Sequence, residues 1–547
     1  MGHEASRLGC YGPRDGTEGR LETRALDNGW SIFEPSKDTK IIYVSSSAGN
    51  DANRGTSPAK AKKTLAAAMA AARSERPDWV LLARGDTWTE TLAVKEGRSR
   101  SEPFVVASYG KSMKRPLLKT GANTGLKRPG NFYNNFAVVG IAFYAHTRDP
   151  SSPDYEDASG SLGFDFYSSE DATGQGILLE DCWFNFYTGN VIQGHGVNKD
   201  IVLRRNIITN NYSNDSHSQG LYSYNASVLL EENIFDHNGW YRQQAGAADE
   251  VTVGQPTMFN HNTYFGDQYE TTFRRNMFLR PSSIGNKWIA EGPAGARDIV
   301  IDDNLYIDGE IGIDIGGNDD TASYRFKNVA VRNNVILDTG RSRPTDRGLG
   351  WLFNIDDWDG GTVSRNLFLH QPSTAVDNVR AIYIGGVTRN VVVEDNVIHG
   401  LHTGNALIIL SDGATKQRIS FVNNSLQSQI HEAVLVEALG VLTNYDFTGN
   451  SYYSRLSKKQ WFKTGEKSLD FDTWKKVSGA TGVAQKVAYR DANRSIESYH
   501  RSLGKTATID AFIAAALTQS KYNWREEYTA AAVNEWIRAG FVSTMRP

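Results

Sequence analysis

Tyr222, Tyr264, Lys287, Asp314 and Tyr383 each stand two places after a small or polar residue in successive short runs. These are Gly220-Leu-Tyr222, Asn262-Thr-Tyr264, Gly285-Asn-Lys287, Gly312-Ile-Asp314 and Ala381-Ile-Tyr383. Alternation turns Leu221, Ile313 and Ile382 inward and the tyrosines, the lysine and the aspartate outward. Gln219 and His261 precede this column, with His217 at the turn. His261 sits between two asparagines in Phe259-Asn260-His261-Asn262, which can orient its ring. Tyr, His or Lys can pass a proton when its pKa is moved toward the working pH, and Lys or Arg can stabilise a developing oxyanion. The catalytic candidates are therefore His261, Tyr264, Lys287, Asp314 and Tyr222. His217, Gln219, Asn260, Asn262, Trp240, Arg242 and Glu291 are the candidate substrate contacts. The competing expectation is an ordinary solvated face, with Lys287 an exposed lysine and His237 structural.

A repeat must hold such a column in line. Nine times between Arg205 and Tyr452 an apolar-alternating run closes on asparagine: Asn206, Asn233, Asn276, Asn304, Asn334, Asn366, Asn396, Asn424 and Asn450. The gaps are 27, 43, 28, 30, 32, 30, 28 and 26 residues, a spacing that signals stacked units. Runs such as Asp298-Ile-Val-Ile-Asp-Asp-Asn304 alternate at period two and are too short for helices. Strands repeating without helices stack as a solenoid, each coil covering its neighbour. The fold expected is a right-handed parallel β-helix, all-β. The corner asparagine suits it by tolerating left-handed backbone and by bonding the next coil. Adjacent coils roughly 4.8 Å apart would bring column neighbours within reach of one bound group. The 43-residue gap holds an insertion, Tyr241 to Thr257, carrying Arg242, Asp249 and Glu250. Long insertions on a rigid scaffold often carry function.

Composition narrows the classes. The formal net charge of -3 over 547 residues leaves no basic stripe for nucleic acid. No run approaches the roughly 20 apolar residues that span a bilayer. Two cysteines, Cys10 and Cys182, define no disulfide framework; Cys182 stands where later coils carry the corner asparagine, so it belongs inside. Most of the 12 Trp, 24 Tyr and 23 Phe are accounted for by stacking within the solenoid. Asp302-Asp303 and Asp319-Asp320 are the places where calcium could bind through oxygens; no cofactor is required, and zinc lacks ligand spacing.

Residues 1–40 read as an N-terminal arm, 41–454 as the β-helix, and 455–547 as a partly helical appendage packed on it. Ser57-Pro58 would start a capping helix over 60–73. Thr508–Leu517 carries an apolar stripe of Ile509, Phe512, Ile513 and Ala516, and Tyr528–Ala539 reads as a second helix with Gly540 as its C-cap.

The opening strand Ile41-Ile-Tyr-Val, the loop Gly49-Asn-Asp-Ala-Asn-Arg-Gly-Thr-Ser-Pro58 and the strand Asp78-Trp-Val-Leu-Leu-Ala-Arg-Gly-Asp86 resemble bacterial right-handed parallel β-helix proteins of the polysaccharide lyase and glycoside hydrolase type. The resemblance extends through Ser216-His-Ser-Gln-Gly220, Phe235-Asp-His-Asn-Gly-Trp240, Phe259-Asn-His-Asn262 and Gly312-Ile-Asp-Ile-Gly-Gly317. It implies a second histidine where this chain has Ile284. It also implies a carbohydrate-active enzyme with a polysaccharide in a surface cleft. The reaction expected first is β-elimination on a uronic-acid-containing polymer. The alternatives are a glycoside hydrolase, with Glu291, Asp356 or Asp249 partnering Asp314, and a non-catalytic glycan-binding solenoid. A monomer without membrane or nucleic-acid partners is expected. Met1-Gly-His-Glu shows no export signal, so a secreted or periplasmic location would rest on a signal outside this chain, with a cytoplasmic one as the alternative.

Overall fold

The computed structural model describes residues 26–130, 133–156, 160–170, 172–213, 217–241, 254, 256–316, 326–345, 347–371, 373, 375–429 and 432–544. Residues 1–25 with Cys10, and Ser216, Arg242, Asp249, Glu250, Gly317, Asp319 and Asp320, lie outside the described residues.

The β-branched runs form short strands that pair in parallel from coil to coil, and the chain is a right-handed parallel β-helix. Two compact units divide it. One comprises Met1–Asn211, Tyr224–Asn233 and Ser520–Trp524; the other comprises Tyr212–Ser223, Ile234–Gln519 and Arg525–Pro547. In each unit the coils build three parallel sheets. The sheet that carries the candidate column runs through Gln219–Tyr224, His261–Gly266, Ile284–Ile289, Ile311–Ile315, Leu349–Ile355, Asn378–Ile384 and Ala406–Leu410. Inward residues are apolar and stacked, as in Phe235 on Phe278 at 5.2 Å and Phe278 on Tyr306 at 5.0 Å.

The corner asparagines are buried and bond in a row. Asn304 N and Nδ2 both donate to Asn334 Oδ1, at 2.9 and 3.0 Å, and Nδ2 also reaches back to Phe273 O at 3.0 Å. The same triple recurs at Asn334, Asn366, Asn396 and, ending on Asn450, at Asn424. In the first unit Asn206 bonds Asn233 in this way, and Cys182 offers its backbone N–H to Asn206 Oδ1 at 2.9 Å. The left-handed residue is not the asparagine but the one before it: Arg205, Glu232, Arg275, Asp303, Asn333, Arg365, Asp395 and Asn423 all have φ between 52 and 56°. The amide must point inward to meet the next coil, so the turn falls on the preceding residue.

Several sequence expectations shift. The capping helix is Leu65–Ala71, with Thr64 Oγ1 accepting from Ala67 N. Ser57 caps nothing, and Pro58–Lys60 is a single 3-10 turn, because Lys62 N is drawn into a bond with Tyr43 O. The last helix is Ala530–Gly540. Gly540 is its final residue rather than its C-cap, and a Cβ there would lie 2.5 Å from Asp491 O. Residue 454 ends the asparagine ladder but not strand pairing, since Val436 pairs with Phe462 and Asn450 with Gly482. The stripe of Ile509–Ala516 is buried, but its Phe512 meets Tyr499, His500 and Tyr528, neighbours within the C-terminal segment. Docking on the coils of the same unit combines polar bonds, Asn534 Nδ2 on Asp303 O at 3.0 Å and Arg538 Nη1 on Arg365 O at 2.7 Å, with ring contacts of the buried Phe541 on His370 and His399. Among the described residues, no helix is long and apolar enough to cross a membrane.

The ladder sets a stability test. Asn366→Ala orphans the buried donors of Asn334 and removes two bonds of its own, so urea unfolding should show a loss of about 2–4 kcal/mol. Asp395→Gly, at an exposed left-handed position, should stay within about 1 kcal/mol of wild type. Equal losses in the two variants would contradict the ladder's role.

Candidate active site

All described site candidates belong to the second unit. Strand pairing sets Tyr264 opposite Lys287, Lys287 opposite Asp314, Asp314 opposite Asn354, and Asn354 opposite Tyr383. Tyr222 joins this column by stacking on Tyr264 at 5.7 Å. Lys287 is not the exposed lysine expected: it is 6% exposed, with Nζ on Asp314 Oδ2 at 2.8 Å and Gly316 O at 2.9 Å. A buried ammonium requires such partners. Asp314 Oδ1 makes no hydrogen bond among the described residues.

His261 is buried, its ring stacked on Tyr264 at 5.6 Å. Burial holds its pKa well below the ordinary histidine range, and Lys287, Arg347 and His217 push the same way. Its Nδ1 accepts from Ile284 N at 3.4 Å, which leaves the proton of the neutral ring on Nε2. The ring is thus a hydrogen-bond donor rather than a ready base. Arg347 lies nearby, paired to the buried Glu310 and donating to Ser283 Oγ at 2.6 Å.

Several expected substrate contacts are spent on the fold. Gln219 takes His261 N on its oxygen at 2.8 Å and gives its amide to Phe259 O at 2.9 Å. Asn260 bonds Ser218 N and Gly239 O, and Asn262 bonds Asn238 Nδ2 and Leu279 O; both are buried. Trp240 is buried, with Nε1 on Arg280 O at 3.2 Å. The polar groups of these four side chains are engaged within the coils. His217 is exposed and stacked on Phe259 at 5.0 Å. Glu291 is exposed, and its charge is felt by Tyr222, at the far end of the column from Asp356. Asp302 and Asp303, the described calcium candidates, are occupied: Asp302 bonds Arg332 and Asn333, and Asp303 bonds Arg275 and Asn534. Among the described residues, no group of three or more His, Cys, Asp or Glu could hold a metal.

Asp356, which sequence reasoning offered only as one partner among three, is the most distinctive carboxyl of the column. It follows the strand Leu349–Ile355, two residues beyond Asn354, and is half-buried. Glycines face it from both neighbouring coils. A Cβ at Gly385 would lie 2.0 Å from Asp356 Oδ1, and one at Gly316 2.1 Å from Asp356 O. The glycines leave a notch in which neither carboxyl oxygen makes a hydrogen bond among the described residues. Burial, then the charges of Asp314 and Asp357, push its pKa up to about 7 against the pull of Lys287 and Arg380. Beside it, Arg380 lies over the Trp351 and Tyr383 rings. The buried Lys416 bonds Gly386 O and Thr415 Oγ1, its pKa lowered by burial against the pull of Asp356. Trp351 and Asn354 escaped the sequence because the alignment relied on a small residue and their coil has Leu352 there; Arg380 and Lys416 lie outside the aligned positions of their own coils. Continuing the inward apolar alternation to Phe353 would have found Asn354.

No protein-family model and no curated protein matches the sequence. Among solved structures the chain is similar to the GH136 lacto-N-biosidase from Eubacterium ramulus, at 16% identity and TM-score 0.37, covering 79% of this chain and 67% of that one. It is similar to the catalytic unit of the GH87 alpha-1,3-glucanase from Streptomyces thermodiastaticus, at 15% identity and TM-score 0.36, covering 80% and 70%. A third similarity is to PfbA, a surface adhesin of Streptococcus pneumoniae, at 9% identity and TM-score 0.42, covering 75% and 89%.

The raised carboxyl has a thermodynamic signature. An unfolded Asp titrates near 3.9, whereas folded Asp356 titrates at about 7, so the native state holds the extra proton between those values. The stability this lends is present below about pH 4 and lost as pH rises through about 7. Urea unfolding across pH 4 to 8 should show the wild type losing ground to Asp356→Asn over that window. Asp338, also raised, to about 8, contributes to both chains and cancels. Parallel curves would contradict the shift.

Proposed function

We propose that this protein is a carbohydrate-active enzyme that hydrolyses a polysaccharide held along the column, with Asp356 as general acid and Asp314 as the second carboxylate. The observation that carries this is the pair itself: two carboxyls on adjacent coils, one half-buried without a donor and one ion-paired to a lysine. Asp356 keeps its proton toward neutrality, and Asp314 is ion-paired to Lys287. Divergent environments are how one site assigns an acid and a base.

Asp356 lies one coil on and two residues along from Asp314, so their Cα atoms are roughly 8 Å apart from strand rise and spacing. A Cα diagonal of that size is compatible with the carboxyl separations that glycosidases use, about 5–5.5 Å for retention and 6.5–9.5 Å for inversion. Lys287 holds Asp314 in place and leaves Oδ1 for a water or an anomeric carbon. Tyr222 and Tyr264 present stacked rings along the same column, a surface suited to the apolar face of a sugar.

β-Elimination, the expectation from sequence, asks for a base of lowered pKa. Tyr222 and Tyr383 are instead raised by burial, and His261 is a neutral ring whose Nδ1 is taken. These features favour hydrolysis over elimination.

The expected outcome is that incubation with a panel of acidic and neutral polysaccharides raises reducing ends without the ultraviolet absorbance of unsaturated uronates. Asp356→Asn and Asp314→Asn should each lower kcat by about 10²–10⁴-fold. Aryl glycosides with good leaving groups need no acid, and should restore turnover to the first variant only. Unsaturated products would make the protein a lyase. Binding without cleavage would make the solenoid a glycan-binding one.

A further inference from the structure

We propose that Arg380 is a specificity residue that binds an oxyanion substituent, a carboxylate or a sulfate, on the sugar lodged beside Asp314 and Asp356. The inference rests on the column being the sugar site; it does not depend on which bond is cut.

Arg380 pairs with Trp351 at the backbone, and its side chain runs forward along the strand. The guanidinium carbon stands 3.7 Å from the centre of the Trp351 ring and 4.4 Å from that of Tyr383. Nη2 donates to Asn354 Oδ1 at 3.1 Å. Nε is buried without a partner, and Nη1 makes no hydrogen bond among the described residues. No carboxylate of the described residues lies within ion-pair distance. Three other arginines of the same unit are paired to carboxylates: Arg389 grips Asp359 through two nitrogens, Arg280 grips Asp236 likewise, and Arg347 grips Glu310.

A guanidinium offers five N–H donors in a rigid plane that matches an oxyanion in fork fashion. Here two rings and Asn354 fix that plane in advance, so binding orders little that is not already ordered. The charge is held in a desolvated position, where an arriving anion is worth more than at an open surface. Burial lowers the Arg380 pKa to about 10, with Asp356 and Asp314 opposing, so the group remains a cation at neutral pH. An anion on Arg380 would also disfavour ionisation of Asp356, reinforcing its role as acid. Neutral sugars would leave the cation desolvated and its donors idle.

The test uses the full chain carrying Asp356→Asn, whose amide resembles the neutral carboxyl and prevents turnover. Calorimetry compares oligogalacturonate, oligomannuronate and oligoglucuronate with their carboxyl-reduced counterparts, and dextran sulfate with dextran. At least one charged probe should bind about 10- to 100-fold more tightly than its uncharged counterpart, the worth of a charge-assisted contact. Adding Arg380→Gln should bring that ratio below about threefold, while Arg380→Lys retains part of it. A carboxylated or a sulfated winner identifies the substituent. Equal binding of every charged and uncharged pair, or a ratio that survives Arg380→Gln, overturns the proposal. A wild-type chain that binds a charged probe through Arg380 yet releases no reducing ends would refute hydrolysis and leave this inference standing.

Discussion

Each coil is tied to the next by one buried amide. The asparagine oxygen accepts two N–H bonds from the coil before it, and its nitrogen donates both backward to a backbone carbonyl and forward to the next asparagine. Nothing in that exchange tolerates a slip. Shifting a strand by one residue would carry its apolar side chains to the surface and leave buried amides unpaired, which is costly in a low dielectric. The price is a left-handed residue at every corner. The ladder therefore fixes the phase of each coil, and with it the column in which Tyr264, Lys287, Asp314, Asn354 and Tyr383 follow one another.

On that frame, chemistry is a matter of what each outward position is given. Lys287 receives Asp314 and a backbone carbonyl, so its charge is matched. Asp356 receives two glycines and no donor, so its proton is retained. Arg380 receives two aromatic faces and one amide, so its charge is placed but not matched. Three ionisable groups within four successive coils thus meet three different surroundings.

The parallel β-helix was legible because its cause is local and repeated: the asparagine period and one-sided alternation are visible in any single coil. The outward column of Tyr264, Lys287 and Asp314 was legible for the same reason, though not the ion pair within it. What sequence misplaced depended on contacts between distant parts. The amides of Gln219, Asn260 and Asn262 look like ligand groups in a string of polar residues, yet they bond backbone on their own and adjoining coils. Lys287 looks exposed until its partner on the next coil is known. Asp356 carries no mark of its own; its state comes from burial and from the charges of Asp314, one coil back, and Asp357. Gly540 reads as a cap and is instead a close contact with Asp491.

The central claim is that Asp356 stays protonated to near-neutral pH beside Asp314. Carbon-13 labelling of aspartate carboxyls, with infrared difference spectra between wild type and Asp356→Asn across pH 4 to 9, reads that group directly. The account predicts a protonated carboxyl band that titrates near 7, is absent from Asp356→Asn, and moves to lower pH when Asp314 is replaced by Asn. A difference spectrum in which Asp356 is fully ionised by about pH 5, the range of an unperturbed aspartate, would contradict it.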